Sequence, residues 1–170
     1  MLNSRPQIVL FLSIIFSAVL MIIDAPLASW AADSDTGIAP LLRPEWVLLC
    51  CLYWAIYSPG RFSVLSAWCT GILLDLLTAS FFGKHALALT LCVFLAQSLH
   101  KQLRAFPIGQ QAVVIALITV VYRIVIVWID GSTSQLQFSP WQFAPALTSA
   151  IVWPPVYLLL TWQSGRRGTD

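Results

Sequence analysis

Six apolar segments, separated by short stretches of polar or helix-breaking residues, dominate this sequence and limit the folds open to it. In lipid there is no water to satisfy the backbone, and the α-helix is the conformation in which a single segment satisfies its own N–H and C=O groups. Each segment is therefore predicted to be helical. The segments comprise residues 7–23, 45–57, 62–82, 85–99, 110–129 and 143–162.

The composition indicates a membrane protein. Of the 170 residues, 59% are hydrophobic and 9% are charged, whereas a soluble domain carries about 25% charged residues. We therefore predict an all-α, polytopic membrane protein, with residues 1–170 forming a single domain and a bundle of six transmembrane helices. The net charge is +2 and no basic run is interleaved with aromatic residues, so no nucleic-acid partner is expected.

Two of the segments, 45–57 and 85–99, are short. A helix of about 13 residues rises roughly 20 Å, less than the ~30 Å of a hydrocarbon core. Such helices must be shielded by longer neighbours or must thin the bilayer. We expect a compact bundle with the short helices inside.

The first segment has two interpretations. Arg5 precedes it and residues 29–31 loosely resemble a cleavage site, which is the pattern of a secretory signal. The apolar run is long for a signal, however, and Asp24 and Pro26 end it instead of small residues. We interpret the segment as an uncleaved transmembrane helix.

The positive charges predict the orientation of the chain, because Lys and Arg accumulate in cytoplasmic loops. With six spans and both termini cytoplasmic, only two cations fall outside, Arg43 and Lys84, and Arg123 lies within a span. The remaining six fall on the cytoplasmic side: Arg5, Arg61, Lys101, Arg104, Arg166 and Arg167.

Asp75 lies in the middle of an apolar stretch, where inserting an acid costs roughly 3 kcal/mol. Such a side chain must face a partner, a wet cavity or a packed interior. Gly71 lies four residues earlier on the same helical face and lets a second helix approach closely. Arg123 is the one cation at membrane depth. We predict helix packing at Gly71 and an ion pair between Asp75 and Arg123.

A proton or solute relay through Asp75 is the alternative interpretation. Relays need several titratable groups, but His85 and His100 fall at segment ends and no second acid lies in the interior of a span. The sequence also has no HExxH pattern and no glycine-rich phosphate loop. The four cysteines lie in apolar segments, as small hydrophobic residues. We expect no enzymatic activity, no cofactor and no metal site.

Residues Arg43, Pro44, Glu45 and Trp46 open the second apolar segment. Proline at the first helical position loses no hydrogen bond, and a glutamate there complements the helix N-terminus. This stretch is either a helix start with a snorkelling arginine or a polar extracytoplasmic rim that engages another protein. The four residues are therefore candidates for partner contact.

Three stretches of the sequence resemble the MreD family, the rod shape-determining proteins of bacterial inner membranes. The first comprises residues 43–49 with Leu52-Tyr53-Trp54. The second comprises residues 71–76 followed by Gly83 and Lys84, and the third is Val152-Trp153-Pro154 before an apolar run. The order and spacing of the three stretches, with the length and the number of segments, extend the resemblance over the whole chain.

The resemblance implies a non-catalytic subunit of the cell-elongation complex in the inner membrane, acting in cell shape and lateral peptidoglycan synthesis. The implied partners are MreC and, through it, MreB and a SEDS glycosyltransferase with a penicillin-binding transpeptidase. The family's expected fold is similar to the S components of vitamin transporters. That similarity leaves a small-solute-binding membrane module as the alternative function.

Overall fold

The computed structural model describes residues 13–15, 19, 44–133 and 140–163. Within these residues all regular structure is helical and no strand occurs. Most of the predicted first span, all of residues 20–43 and the C-terminal tail with Arg166 and Arg167 lie outside the described residues, as does Arg43. The described helices are α1 (Trp46–Tyr57), α2 (Val64–Leu77), α3 (Lys84–Ser98), α4 (His100–Ala105), α5 (Ile108–Thr133) and α6 (Ala144–Gln163), with a 3-10 turn at Pro140–Phe143.

Helix α1 lies at the centre of the bundle and packs against α3, α4, α5 and α6. All of its residues from Val47 to Ile56 are buried. An unbroken apolar run without a polar face has to be covered on all sides, and the 12-residue helix is too short to reach across a bilayer alone. The expectation that the second segment lies inside the bundle is confirmed.

Helices α2 and α3 form a tight hairpin and pack most extensively against each other. The α2 helix starts at the cap Ser63, whose Oγ accepts a bond from the Ser66 N–H at 3.4 Å. One face of α3 is buried, through residues such as Ala88, Leu89 and Val93. The other face remains exposed together with most of α2. Thus α3 is only half inside, and α2 lies at the edge of the described bundle.

Helices α5 and α6 are the two described helices that are long and apolar enough to cross a membrane, over Ile108–Ser132 and Ala144–Trp162. The other apolar helices, α1, α2 and α3, have 12 to 15 residues. Pro154 and Pro155 lie inside α6, which is tolerated in membrane helices because neighbouring groups satisfy the freed carbonyls.

Helix α4 lies in the stretch after residue 99, where the sequence predicts only a connection between segments. It continues from α3 after a break at Leu99 and ends before Pro107, which starts the turn into α5. Buried Gln111 fixes this region, since its Nε2 donates to the carbonyls of Leu103 at 2.9 Å and Phe106 at 3.1 Å. Its amide also bonds the Tyr57 hydroxyl and accepts the Trp153 indole N–H. One polar side chain therefore ties α4 to α1, α5 and α6.

The short turns between α1, α2 and α3 make these helices antiparallel, which separates the described charges into two groups. The paired end of the bundle comprises Glu45, Asp75, Lys84, His85, Arg123 and Asp130, which lie near the start of α1 and α3 and towards the ends of α2 and α5. The basic end comprises Arg61, Lys101 and Arg104, which lie in the α1–α2 turn and on α4.

Candidate functional site

The Asp75 carboxylate caps the N-terminus of α3. Its Oδ2 accepts the Gly83 N–H at 2.9 Å, and its Oδ1 accepts the His85 N–H at 2.9 Å and the Ser80 hydroxyl at 3.1 Å. The His85 ring Nδ1 lies 2.8 Å from the same Oδ1. A helix N-terminus offers unbonded N–H groups and a partial positive charge, so it stabilises a buried carboxylate. These bonds explain how an acid can persist in the apolar stretch.

The turn between α2 and α3 brings these donors to Asp75. Gly83 has φ of 94°, the left-handed region that favours glycine, and it is the cap residue of α3. The Ser80 N–H donates to the Asp75 carbonyl at 3.2 Å, and the Lys84 N–H donates to the Phe81 carbonyl at 3.2 Å. The glycine thus lets the chain reverse so that the first turn of α3 faces the carboxylate.

Gly71 is the point at which α3 comes closest to α2. A Cβ atom added at Gly71 would lie 2.3 Å from the Cα of Ala86, which is backbone that cannot rotate away. The close helix approach expected at Gly71 is therefore present, and the approaching helix is α3 of the same chain. This face is filled within the hairpin, so it has no room for a partner span.

The predicted ion pair between Asp75 and Arg123 is wrong. Arg123 Nη2 forms its ion pair with Glu45 Oε1. Asp75 instead bonds to groups five to eleven residues further along the chain. These donors are close in sequence, so they contact the Asp75 carboxylate once the α2–α3 hairpin has formed. Arg123 belongs to α5 and contacts the start of α1 instead.

A third ion pair joins α3 to α5. Lys84 Nζ donates to both carboxylate oxygens of Asp130, at 3.0 and 3.3 Å. The Glu45 N–H donates to Ser149 Oγ at 3.2 Å, which adds α6 to the same end of the bundle. Every Asp and Glu among the described residues is therefore bonded to another helix of the chain. These side-chain contacts connect α1, α2, α3 and α5, and the Glu45 N–H adds α6.

This arrangement is suited to holding helices together. The Asp75 carboxylate is fully buried and its lone pairs are already used by donors of α3 and Ser80. No group of three or more His, Cys, Asp or Glu side chains that could hold a metal ion occurs among the described residues. Ser80 Oγ lies 3.3 Å from His85 Nδ1, and both atoms contact Asp75 Oδ1, so the carboxylate, the imidazole and the hydroxyl are bonded to one another within the hairpin.

The predicted rim is less exposed than its sequence indicates. Pro44 is buried, Glu45 and Trp46 are partly buried, and Arg43 lies outside the described residues. The Glu45 side chain is occupied by Arg123. Any contact of this rim with another protein remains a prediction.

Sequence reasoning missed His85 and Lys84 as partners of buried or half-buried acids. Both lie directly after Gly83, in the first turn of α3. A signal was present: a glycine followed by a helix start, eight residues after an isolated intramembrane acid. In a helical hairpin with this spacing, the N–H groups at the start of the second helix lie beside the end of the first helix.

Comparison with known proteins gives a family for the chain. The family model described as "rod shape-determining protein MreD" matches residues 4–162. A curated relative, "Rod shape-determining protein MreD" from Haemophilus influenzae, is 29% identical over 121 residues, which cover 71% of this chain and 74% of the relative. The residues of the Asp75 cap, from Gly71 to His85, lie within the matched range.

No solved structure matches the chain significantly. The likeness to the S components of vitamin transporters, inferred above from the family resemblance, therefore stays a prediction. Over the described residues the structure is all-helical, and two of the helices are long and apolar enough to span a membrane.

Proposed function

Because the chain belongs to the MreD family of rod shape-determining proteins, we propose that it serves as a non-catalytic membrane subunit that docks MreC and, through it, MreB and the wall synthases. Membership of the family gives the chain a role in determining rod shape. The observation that carries the scaffold interpretation is the set of contacts made by the described acids. Glu45, Asp75 and Asp130 are each bonded to another helix of the chain and so hold the helices in place.

The proposed topology places the chain as a six-span protein of the bacterial inner membrane with both termini in the cytoplasm. The basic end then faces the cytoplasm, and the paired end faces outward. The distribution of the described charges supports this orientation, because Arg61, Lys101 and Arg104 all lie at one end and cations favour the cytoplasmic side.

The proposed docking surface is the outer face of the α2–α3 hairpin. Among the described residues, α2 packs mainly against α3, and the rest of its apolar surface is uncovered. A groove of about 450 Å³ runs between the two helices, lined by Val64, Trp68, Leu87, Thr90, Leu91 and Phe94. A transmembrane helix of MreC packing into this groove would gain van der Waals contacts, which drive helix association in lipid.

The Arg43–Trp46 rim has a supporting part in this proposal. Glu45 is held by Arg123 and by Ser149, so the start of α1 is fixed relative to α5 and α6. A fixed helix start can present Trp46, which is partly exposed, to an extracytoplasmic part of a partner.

Co-purification tests the docking surface directly. The chain is expressed in a rod-shaped host depleted of its own homologue, and the MreC retained by the affinity-purified protein is measured. Trp68→Ala with Phe94→Ala truncates two side chains of the groove. We expect about tenfold less MreC, since truncating a central interface side chain costs about 1–2 kcal/mol, and we expect rods to become rounded.

The matched control truncates Leu147 and Ile151 on α6, which are more exposed than the two substituted groove residues. We expect normal amounts of MreC and rod-shaped cells. If the groove variant is folded, supports rods and retains MreC while the α6 variant does not, the docking surface has been placed on the wrong helices. A bound small molecule with no MreC in mass spectra of the purified protein would favour the solute-binding alternative.

A further inference from the structure

The cations of the basic end have no acidic partner among the described residues. Glu45, Asp75 and Asp130 are all the described acids, and each is bonded at the other end of the bundle. Arg61, Lys101 and Arg104 are exposed and form no ion pair with any other described residue. Within the described part of the chain, these three positive charges therefore have no counter-charge.

These cations come from two segments that are bonded to each other. The Gln97 Nε2 donates to the Phe62 carbonyl at 2.6 Å, which holds the turn containing Arg61 against the end of α3. The Arg104 Nε donates to the Ile56 carbonyl at 2.8 Å, which holds α4 against the end of α1. The basic end is thus one surface, formed by the turn after α1 and by α4.

Arg104 is oriented before any ligand arrives. Its guanidinium lies over the Tyr57 ring, 5.8 Å from the centroid, and its Nε is used by the Ile56 carbonyl. The side chain is nevertheless exposed. A guanidinium fixed in this way keeps its two Nη groups for a planar, two-point contact, which matches the oxygens of a phosphate.

The surface lies where a membrane-spanning helix begins. The span predicted in α5 starts at Ile108, three residues after the end of α4. Phe106 and Ile108 are partly exposed beside the cations, while Leu103 on the other side of α4 is buried. Cations next to exposed apolar side chains at the start of a span are suited to the boundary between headgroups and acyl chains.

We infer that Arg61, Lys101 and Arg104 form a binding site for the phosphate of anionic phospholipid headgroups, with Phe106 and Ile108 contacting the adjoining acyl chains. Lipid is favoured over an acidic protein because the apolar residues continue the cationic surface into the span. Gln111 and Arg104 hold α4 in place, so the site is formed in the absence of lipid. The inference does not depend on MreC or on the α2–α3 groove.

Native mass spectrometry of the purified full chain tests this site. The protein in mild detergent is titrated with phosphatidylglycerol and, separately, with phosphatidylethanolamine. We expect preferential binding of phosphatidylglycerol. Lys101→Gln should weaken it about fivefold, and Arg61→Gln with Lys101→Gln about thirtyfold, from the usual contribution of a cation near an anionic surface. Neither variant removes a hydrogen bond that holds α4, so both should fold.

Lys84→Gln is the control that removes one positive charge at the paired end, and it should leave phosphatidylglycerol binding unchanged. Arg104→Lys keeps the charge but removes the planar, two-point contact of the guanidinium, so it should weaken phosphatidylglycerol binding more than Lys84→Gln does. Equal losses of phosphatidylglycerol binding in Lys84→Gln and Lys101→Gln would mean that binding depends on net charge alone, and would overturn the proposed site.

Two further outcomes would also overturn it. Displacement of the lipid by millimolar inorganic phosphate would assign the surface to free phosphate and not to a lipid headgroup. Unchanged lipid preference in the double variant, with loss of a cytoplasmic protein that co-purifies with the native chain, would assign the surface to an acidic protein.

Discussion

At the paired end of the bundle, three carboxylates are bonded to cations or helix N–H groups of the same chain. At the basic end, three cations are exposed and no carboxylate of the described residues accompanies them. The side chains of Glu45, Asp75 and Asp130 at the paired end join α1, α2, α3 and α5, and the Glu45 N–H adds α6. At the basic end, the side chains of Arg61 and Lys101 make no such connection among the described residues. Substitutions at the two ends should therefore affect different properties: stability at the paired end, and ligand binding at the basic end.

The largest effect is expected at Gly71, beneath the Asp75 cap. In Gly71→Leu the new side chain would meet the backbone of Ala86, which should separate α2 from α3. We expect a loss of at least about 3 kcal/mol of unfolding free energy, the upper range of overpacking, measured by denaturant titration in detergent. Gly109→Ala is the control, because a Cβ there meets nothing within 4 Å. A Gly71→Leu protein as stable as the native chain would contradict the close packing.

Asp75→Asn should have the next largest effect. An amide keeps one acceptor oxygen but turns an NH₂ group toward the N–H donors of Gly83 or His85. Leaving buried donors unsatisfied costs about 1–3 kcal/mol, and we expect a loss of that size in the same titration. Asp75→Glu keeps the charge but moves the carboxylate, so it tests whether the position of the carboxylate matters as well. An Asp75→Asn variant with native stability would show that the cap contributes little.

A double-mutant cycle distinguishes the two possible partners of Arg123. Glu45→Gln and Arg123→Gln should couple by about 0.5–1 kcal/mol, as expected for a partly exposed ion pair. Asp75→Asn and Arg123→Gln should be additive, because these residues share no bond. Coupling between Asp75 and Arg123, with none between Glu45 and Arg123, would restore the pairing that the sequence indicated.

The smallest effect on stability is expected at the basic end. Arg61→Gln and Lys101→Gln change exposed side chains without ion pairs, so each should change the unfolding free energy by less than about 0.5 kcal/mol. Lys84→Gln, which loses the bond to Asp130, should cost slightly more. If the basic-end substitutions destabilise as much as Asp75→Asn, the contrast between the two ends does not hold.

Sequence reasoning was most successful where a residue's neighbours in the chain determine its surroundings. The unbroken apolar run of α1 requires cover on all sides, and a glycine four residues before Asp75 marks a close helix contact. Both features depend on helical spacing alone.

The ion pairs could not be predicted in this way. Arg123 is the expected partner of Asp75 because it is the only cation at membrane depth in the sequence. Depth alone does not say which helices are neighbours or how each helix is rotated. The actual donors are backbone N–H groups of Gly83 and His85, which charge counting ignores. Helix α4 was missed for a similar reason: four of its six residues are polar, and the helix is held by bonds that Gln111 and Arg104 donate to backbone carbonyls.

Hydrogen exchange of the backbone amides of residues 83–86 tests most directly whether Asp75 caps α3. These amides are measured in the purified full chain and in its Asp75→Asn and Arg123→Gln variants, under conditions in which all three are folded. We predict slow exchange in the native chain, fast exchange in Asp75→Asn and slow exchange in Arg123→Gln. Fast exchange in Arg123→Gln, with native protection in Asp75→Asn, would contradict the cap and support a pairing through Arg123.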